Sequence, residues 1–414
     1  MRFVYLALAP LACVALAAGC SSASSSSSPA SADAGADAAN IVTASFDMDV
    51  SVGAGQELFK CQFVTLPNVQ AFMIAGQHQY TPGSHHLLLY TTDLTSIPAG
   101  GDQVQDCFEG TGNDIMSHAR GVLYAGQVPS GGETLPPSVG LSTSPQQVLL
   151  FQVHYLNATS GSLDAKVHVQ LSLDKGDDIV TKAGIFFFYD PFIDVPPGAT
   201  AKASMRCLIP DQVTLVYASS HYHARGVGYG AYLDPSATEM GTKPFYTSNT
   251  WSSPPNQQMS MTIPAGTRLR FECDYDNTSG TQEFFQGQSA QTNEMCMFIG
   301  TYYPEMTQIA DYCLSGPDMF GTGSVACGDT LTCMEACGAI TFGKPGGAGG
   351  GESDCEQKCV VQSCPSASTT LVPVVECVRS SCATECGAGG AGCSTCLEAK
   401  CASQAQACMA HTCN

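Results

Sequence analysis

Cysteine is the residue whose distribution most restricts the fold of this chain. Fourteen of the 22 cysteines lie between residues 317 and 414, and several are four residues apart, as at Cys333 and Cys337. Residues with this separation are neighbours on one face of a helix. Such a dense and even set predicts short helices joined by disulfides. Zinc binding by thiolates is the alternative, and the spacing leaves the disulfide connectivity open.

The amino-terminal residues have the pattern of an export signal. Arg2 precedes an apolar run, and small residues continue to Cys20. The run is too short for an ordinary membrane-spanning helix. The sequence LAAGC resembles a bacterial lipoprotein signal, so we expect a signal peptide at residues 1–20, a lipid on Cys20 and a Ser/Ala-rich linker at residues 21–40. Ordinary secretion is the alternative, and both place the chain in an oxidising compartment.

Net charge limits the partners of the chain. It carries a formal charge of −20, from 16 basic and 36 acidic residues. We expect no nucleic-acid partner, because nucleic acid requires a basic face. We also expect contact with a membrane only through the lipid anchor. The predicted localisation is that of an exported bacterial lipoprotein, facing the periplasm or anchored at the cell surface.

Short apolar runs dominate residues 41–316. Runs such as QVLLFQVHYL and AKVHVQLSL are rich in Val, Leu, Phe and Tyr and are separated by Gly, Pro and Asn. They predict a mainly β chain with antiparallel strands. A polar break near residues 172–182 divides the region into similar halves, which favours two tandem β-sandwiches. The predicted domains are residues 41–176 and 177–316, followed by a Cys-rich module at residues 317–414.

Five histidines recur at strand positions. His85 and His86 follow a Pro-Gly turn, His154 lies within an apolar run, and His221 and His223 are two apart in SHYHARG. Residues two apart on a strand share a face. Adjacent residues point to opposite faces, so His85 and His86 can share a metal only at a strand end or a bulge.

A methionine indicates which metal these histidines would bind. Met295 lies in TNEMCMF, at the start of another apolar run. Imidazole binds copper in both oxidation states, and a thioether is a soft ligand that favours Cu(I). The residues together therefore favour copper, with a three-histidine site in the first half and a His–His–Met site in the second. Each residue taken singly has a structural alternative, such as core packing for Met295.

The order of these motifs is similar to that in a known family. HHLLLY, QVHYLN, HYH and NEMC resemble the ligand motifs of the copper type II ascorbate-dependent monooxygenases, over residues 58–313. The resemblance implies two jelly-roll-like β-sandwiches that face each other across an open cleft. It also implies insertion of one oxygen atom of O₂ into an aliphatic C–H bond of a small-molecule substrate. Ascorbate or another one-electron reductant would supply the electrons.

The resemblance assigns ligands to two copper ions. The implied ligands are His85, His86 and His154 for the electron-storing copper, and His221, His223 and Met295 for the copper that binds O₂. Gln152 matches a glutamine of the cleft between the metals, and we count it with Met295 as catalytic. The resemblance further implies three disulfides, Cys61–Cys107, Cys207–Cys313 and Cys273–Cys296.

Departures from the peptide-hydroxylating members concern the substrate. Ser219 stands where those members have an arginine that binds a carboxylate, and Met297, Phe298 and Ile299 follow Met295. A buried carboxylate without its arginine is unfavourable. We therefore expect a less polar substrate than a peptide C-terminal glycine.

The predicted function is that of a copper-dependent monooxygenase. A non-catalytic copper-binding or adhesion lipoprotein that keeps the fold is one alternative. In another, the Cys-rich module is the active part and the β-region is a scaffold. The module is otherwise expected to be a stalk, a protease-resistant cap or the binding site of a protein partner.

Overall fold

The computed structural model describes residues 40–108, 115–176, 178–236, 238–306, 323–337, 354–388 and 391–413. The predicted signal peptide with Cys20, the linker before residue 40, and Cys313 lie outside these residues. Residues 40–414 form a single structural unit.

Among the described residues, ten strands precede residue 176. They are β1 Ile41–Val52, β2 Glu57–Thr65, β3 Phe72–Tyr80, β4 Ser84–Thr92, β5 Gln105–Asp106, β6 Ala119–Gly126, β7 Ser130–Thr134, β8 Val139–Ser142, β9 Val148–Leu156 and β10 Leu163–Asp174. One turn of 3-10 helix, Ile115–His118, lies directly before β6.

Ten further strands follow in the second half of the described β-region. They are β11 Thr181–Tyr189, β12 Asp194–Val195, β13 Thr200–Leu208, β14 Val213–Tyr222, β15 Gly226–Asp234, β16 Tyr246–Ser248, β17 Gln257–Ile263, β18 Arg268–Asp276, β19 Phe284–Phe285 and β20 Cys296–Tyr303.

Burial along the strands follows from the alternation of their side chains. In β1, Phe46, Met48 and Val50 are buried while the residues between them are exposed, because successive side chains point to opposite faces. β9 differs, since its residues from Val148 to Tyr155 are all buried. A strand buried on both faces is a continuous apolar run. Gln152 and His154 lie within that run and are therefore shielded from solvent.

The strands form four sheets. The nine-stranded sheet has the order β1-β10-β3-β8-β11-β20-β14-β17, with β7 paired to β3; the others are β5-β2-β9-β4-β6, β13-β18-β15-β16 and β12-β19. β8 and β11 are parallel and join the two halves of the sequence in one sheet, which the sequence did not predict. The prediction of a mainly β chain is confirmed, whereas the division into domains at residue 176 stays a prediction.

The described part of the Cys-rich module is helical. Its helices are α1 Cys327–Ala336, α2 Asp354–Val361, α3 Ser368–Cys377, α4 Ala383–Ala388, α5 Ala391–Lys400 and α6 Ala402–Met409. The 14 cysteines of the module, all described, are joined as Cys327–Cys408, Cys333–Cys359, Cys337–Cys355, Cys364–Cys413, Cys377–Cys401, Cys382–Cys396 and Cys386–Cys393. Short helices joined by disulfides are thereby confirmed, and so many disulfides are typical of an extracellular or secreted protein.

The module and the second half of the β-region share one core. A single hydrophobic cluster contains Phe271 and Phe298 from the sheets and Val360 and Leu371 from the helices. Removal of the module would therefore expose apolar surface of the second half. None of the described helices is long and apolar enough to span a membrane.

Candidate metal centre

Two neighbouring strands of the five-stranded sheet carry the first three histidines. β4 pairs with β9 so that His86 lies opposite His154, and the register shifts between Ser84 and His86. His85 is the extra residue of this bulge, which allows adjacent side chains to approach the same point. The ring centroids of His85 and His86 are 5.4 Å apart, and each is 5.0 Å from that of His154. Of the strand end and the bulge that would let these adjacent residues share a metal, the structure has the bulge.

The second pair of histidines lies at the end of β14. His221 is in the strand and His223 follows its last residue, with 5.3 Å between the ring centroids. β14 pairs with β20, which begins at Cys296. Met295, immediately before β20, lines the same small cavity as His221 and His86. The structure thus brings every predicted ligand to one region.

All five histidine rings form one cluster. The ring centroid of His85 is 4.5 Å from that of His221 and 5.2 Å from that of His223. Two sets have ligand atoms within 4.8 Å of one another, His85–His86–His154 and His85–His221–His223, so His85 belongs to both. The histidines of the two halves therefore meet directly, instead of facing each other across the open cleft that the resemblance implies.

Burial keeps these imidazoles neutral. Each of the five residues is at most 6% exposed. Burial, and then the neighbouring histidines, lower the pKa of His85, His154 and His221 well below the usual value. Burial lowers the pKa of His86 and of His223 to about 4. Neutral rings can pack together without charge repulsion, and a neutral imidazole is the form that binds a metal.

Ring nitrogens without a partner converge in the cluster. Nδ1 of His86 and His154, Nε2 of His221 and His223, and both nitrogens of His85 have no hydrogen-bond partner among the described residues. Each such buried polar atom costs about 1–3 kcal/mol. A metal ion would use these lone pairs, and five imidazoles beside a thioether are a donor set that copper favours. The residues therefore fit a buried copper centre.

In the first half, carbonyl and carboxylate oxygens hold the second nitrogen of two histidines. His86 Nε2 donates to Gln152 Oε1 over 3.3 Å, and His154 Nε2 donates to Glu57 Oε1 over 2.8 Å. Metal-binding histidines commonly donate their other N–H in this way, which fixes the ring orientation. Glu57 also accepts a hydrogen bond of 2.6 Å from Ser289 Oγ, so it connects the first half to the second.

In the second half, His221 and His223 are held in the same manner. His221 Nδ1 donates to Gln127 Oε1 over 2.6 Å, and Gln127 Nε2 donates to the carbonyl oxygen of Ser220 over 2.9 Å. His223 Nδ1 donates to the carbonyl oxygen of Asn293 over 3.1 Å. Gln127 follows β6 of the first half, so the contacts between the halves again involve a predicted ligand histidine.

Arg225 of SHYHARG supports the backbone near Met295. Its guanidinium lies 3.8 Å from the centroid of the Phe284 ring. The backbone N–H groups of Arg225 and His223 donate to the carboxylate of Glu294, over 2.9 and 3.2 Å. Burial raises the pKa of that carboxyl to about 7. Because Glu294 precedes Met295 directly, these contacts fix the segment that presents the thioether.

A largely apolar cavity of about 20 Å³ adjoins the cluster. It is lined by His86, Leu88, Tyr90, Ala125, Gln127, Gln152, Phe187, His221, Gln288, Met295, Met297 and Ile299. Phe298 is absent from this lining and is buried in the core, because alternate residues of β20 point to opposite faces. A cavity of this volume has room for about one water molecule.

Two of the three implied disulfides have both cysteines among the described residues. The structure forms Cys61–Cys107 and Cys273–Cys296, with Cα–Cα distances of 5.1 and 5.9 Å. Cys207 is also disulfide-bonded, and its implied partner Cys313 lies outside the described residues. Because Cys296 follows Met295, its disulfide fixes the start of β20 to β18.

Three residues near the cluster were missed in the sequence. Glu57 and Gln127 belong to no motif. The pairing of β2 with β9 brings Glu57 to His154, and the packing of the two halves brings Gln127 to His221. The indole of Trp251, the only tryptophan of the chain, lies 5.5 Å from the ring centroid of His85. Trp251 belongs to no ligand motif, and its being the single tryptophan of the chain is the one sequence feature that sets it apart.

Comparisons with known proteins found similarity to copper-dependent monooxygenases. A family described as copper type II ascorbate-dependent monooxygenase, C-terminal domain, matches residues 181–319. DBH-like monooxygenase protein 1 of Gallus gallus is 26% identical over 257 residues, and that of Homo sapiens is 26% identical over 258 residues. Each alignment covers 57% of this chain and 41% of the relative, so the chain spans about two fifths of the length of the curated relatives it matches.

A solved structure adds no argument on function. The structure of PNGF-II aligns over 66% of each chain, at 8% identity and a TM-score of 0.28, which is too low to support a conclusion. The sequence matches are to copper-dependent monooxygenases and DBH-like monooxygenases, and the buried histidines are compatible with a copper centre. The resemblance to the copper type II ascorbate-dependent monooxygenase family is thereby confirmed.

Proposed function

We propose that this chain hydroxylates an aliphatic C–H bond of a small substrate, with O₂ and ascorbate or a similar reductant. In the balanced reaction, R–H, O₂, two electrons and two protons give R–OH and H₂O. One observation carries the proposal. Five buried histidines point unpaired ring nitrogens into one cluster beside Met295, and satisfaction of these atoms requires a ligand such as copper.

The proposed ligands form two groups. His85, His86 and His154 would hold one copper, and His221, His223 and Met295 would hold the other. The two coppers would supply one-electron redox chemistry and O₂ binding. Gln152 would orient a group that binds between the two coppers. Its own amide has a fixed orientation, because the amide oxygen contacts His86 Nε2 and the amide nitrogen lies 3.3 Å from Met116 Sδ.

The proposed substrate is small and largely apolar. Leu88, Tyr90, Phe187, Met297 and Ile299 contribute apolar surface to the cavity beside Met295. Apolar walls favour an apolar ligand and exclude water from the reacting atoms. Ser219 supplies no positive charge for a carboxylate, which agrees with this substrate class.

We also propose the location of the chain. Its disulfides require an oxidising compartment, and a lipid on Cys20 with the linker of residues 21–40 would tether the β-region to a membrane surface. Labelling with a fatty acid, followed by Cys20→Ser, tests the anchor. Labelling that persists in the variant would contradict it.

Copper stoichiometry tests the proposed function first. Residues 41–414 are loaded with copper, and tightly bound copper per chain is counted in the native sequence and in His221→Ala/His223→Ala. We expect two coppers to fall to one. No bound copper, or a count that the double variant leaves unchanged, would contradict the proposed sites. Uptake of O₂ with ascorbate and a series of apolar substrates then tests the reaction.

A non-catalytic copper-binding protein is the second candidate, because the cavity of about 20 Å³ holds no more than about one water in this arrangement. This candidate predicts full copper loading and O₂ uptake that no substrate increases. Product formation coupled to O₂ uptake would exclude it.

A further inference from the structure

Residues 286–295, which we call the Met295 loop, connect three parts of the molecule. Ser289 Oγ and the backbone N–H of Ala290 donate to the carboxylate of Glu57 over 2.6 and 2.7 Å. Glu294 accepts hydrogen bonds from the backbone of His223 and Arg225. The loop also contacts the Cys-rich module, and this third contact is independent of the metal cluster.

The contact with the module is a pair of hydrogen bonds between one side chain and one peptide unit. The backbone N–H of Gln286 donates to Gln357 Oε1 over 2.7 Å, and Gln357 Nε2 donates to the carbonyl oxygen of Gln286 over 2.9 Å. Gln357 is 0% exposed and Gln286 is 3% exposed. Loss of the side-chain amide would leave two buried backbone groups unpaired, which is costly.

The Gln286 backbone is directly connected to the residue before Met295. Gln286 forms a β-bridge with Glu294. The backbone N–H of Gly287 donates to the carbonyl oxygen of Glu294 over 3.1 Å, and the backbone N–H of Glu294 donates to the carbonyl oxygen of Phe285 over 2.9 Å. A displacement of Gln286 would therefore move Glu294, and with it the thioether of Met295.

Disulfides fix the helix that carries Gln357. Cys355 and Cys359 lie on either side of Gln357 in α2, and they are bonded to Cys337 and Cys333. α2 is therefore held at two points to α1 and the residue after it. A helix held in this way is a rigid support for a loop that has little regular structure of its own.

We propose that the Cys-rich module positions the Met295 loop, with Gln357 as the positioning residue, and so holds Met295 at the histidine cluster. The module is then part of the metal centre and not only a stalk or a cap. The part of this inference that concerns copper rests on the proposed function, whereas the support of the loop does not.

The test uses the chain of residues 41–414 and two neighbouring substitutions in α2. Gln357→Met keeps the approximate side-chain volume and removes both hydrogen bonds to Gln286. Lys358→Met is the matched control, because it removes only a partly exposed ion pair of 3.0 Å with Glu283. Hydrogen exchange of residues 284–296 is measured first, without copper. Extended X-ray absorption of the Cu(I) protein then measures copper–sulfur scattering.

We expect amide exchange in the Met295 loop to become about tenfold faster in Gln357→Met, as loss of a buried hydrogen bond would cause. Exchange should be unchanged in Lys358→Met. Copper–sulfur scattering should fall by at least half in Gln357→Met alone. Gln357→Glu, which keeps an acceptor for the Gln286 N–H, should be intermediate. Unchanged hydrogen exchange in β14, and a protein mass that accounts for all seven disulfides of the module, show that each variant is folded.

Unchanged exchange in the loop of a folded Gln357→Met protein would overturn the proposal. Faster exchange with full copper–sulfur scattering would overturn the positioning of Met295. If the native chain binds copper without any sulfur scattering, the proposed Met295 ligand is wrong. The exchange measurement would then still decide whether the module supports the loop.

Discussion

The two groups of proposed ligands have similar chemistry but are supported by different parts of the structure. His85, His86 and His154 lie on β4 and β9, adjacent strands inside the five-stranded sheet, so a ladder of backbone hydrogen bonds fixes them. In the second half, His223 and Met295 lie just outside strands and depend on side-chain contacts. The first group is therefore preorganised by the sheet, whereas the second requires hydrogen bonds with residues that are distant in sequence. We therefore expect substitutions in supporting residues to affect the second group more.

His85→Ala should give the largest effect, because ligand atoms of His85 lie within 4.8 Å of those of His221 and His223 as well as those of its own group. We expect both copper affinities to fall by more than the roughly 10–100-fold that loss of a hydrogen-bond partner of a ligand costs. His86→Ala should affect the first group alone. Copper titration monitored by quenching of Trp251, which lies beside His85, and by bound-metal analysis measures both. Selective loss of one copper in His85→Ala would show that the histidine is not shared.

The partners of the ligand histidines give the next largest effect. Glu57→Gln should weaken copper at the first group by roughly 10–100-fold, because His154 loses its charged acceptor. Gln127→Met removes the acceptor of His221 at similar volume and should weaken copper at the second group by more, towards the upper end of the roughly 10–100-fold range.

Competition with a Cu(I) chelator in each single variant distinguishes these two effects. If the sheet preorganises the first group, Glu57→Gln should give the smaller loss of the two. Equal losses, or loss of the second copper in Glu57→Gln, would instead show that the Ser289 contact of Glu57 dominates.

Strand spacing predicted part of the proposed ligand set, and the resemblance of the motifs to the family supplied the rest. His221 and His223 share a face because of that spacing, and the Pro-Gly turn before His85 indicated the bulge. The pairing of β8 with β11 and the positions of Glu57 and Gln127 could not be predicted. The β8–β11 pairing and the contact of Gln127 with His221 depend on how the two halves pack, and the contact of Glu57 with His154 depends on the pairing of β2 with β9. No local periodicity records such contacts between residues that are distant in sequence. Of the three apolar residues after Met295, Met297 and Ile299 line the cavity and Phe298 does not, as the alternation of side chains along a strand requires.

The disulfides Cys61–Cys107 and Cys273–Cys296 of the β-region differ in their position relative to Met295. Replacement of either pair, Cys61/Cys107 or Cys273/Cys296, by alanine should lower the free energy of unfolding by about 2–5 kcal/mol. Only the loss of Cys273–Cys296 should also reduce copper–sulfur scattering, because Cys296 is next to Met295. Thermal unfolding with and without copper, followed by X-ray absorption, measures both. A loss of the sulfur signal in the Cys61/Cys107 variant would mean that the thioether responds to general destabilisation.

His168→Ala should give the smallest effect and defines the baseline for the others. His168 lies on β10 and donates to Asp47 over 2.7 Å, with side-chain exposures of 45% and 75%. Solvent screens such a pair, which contributes less than about 1 kcal/mol, and His168 belongs to no group of three or more potential metal ligands among the described residues. Copper count, copper affinity and melting temperature should therefore equal those of the native chain. A fall in the copper count of this variant would show that surface histidines contribute to the bound metal. The counts of two and one expected for the buried groups would then have to be measured again with surface copper removed by a weak chelator.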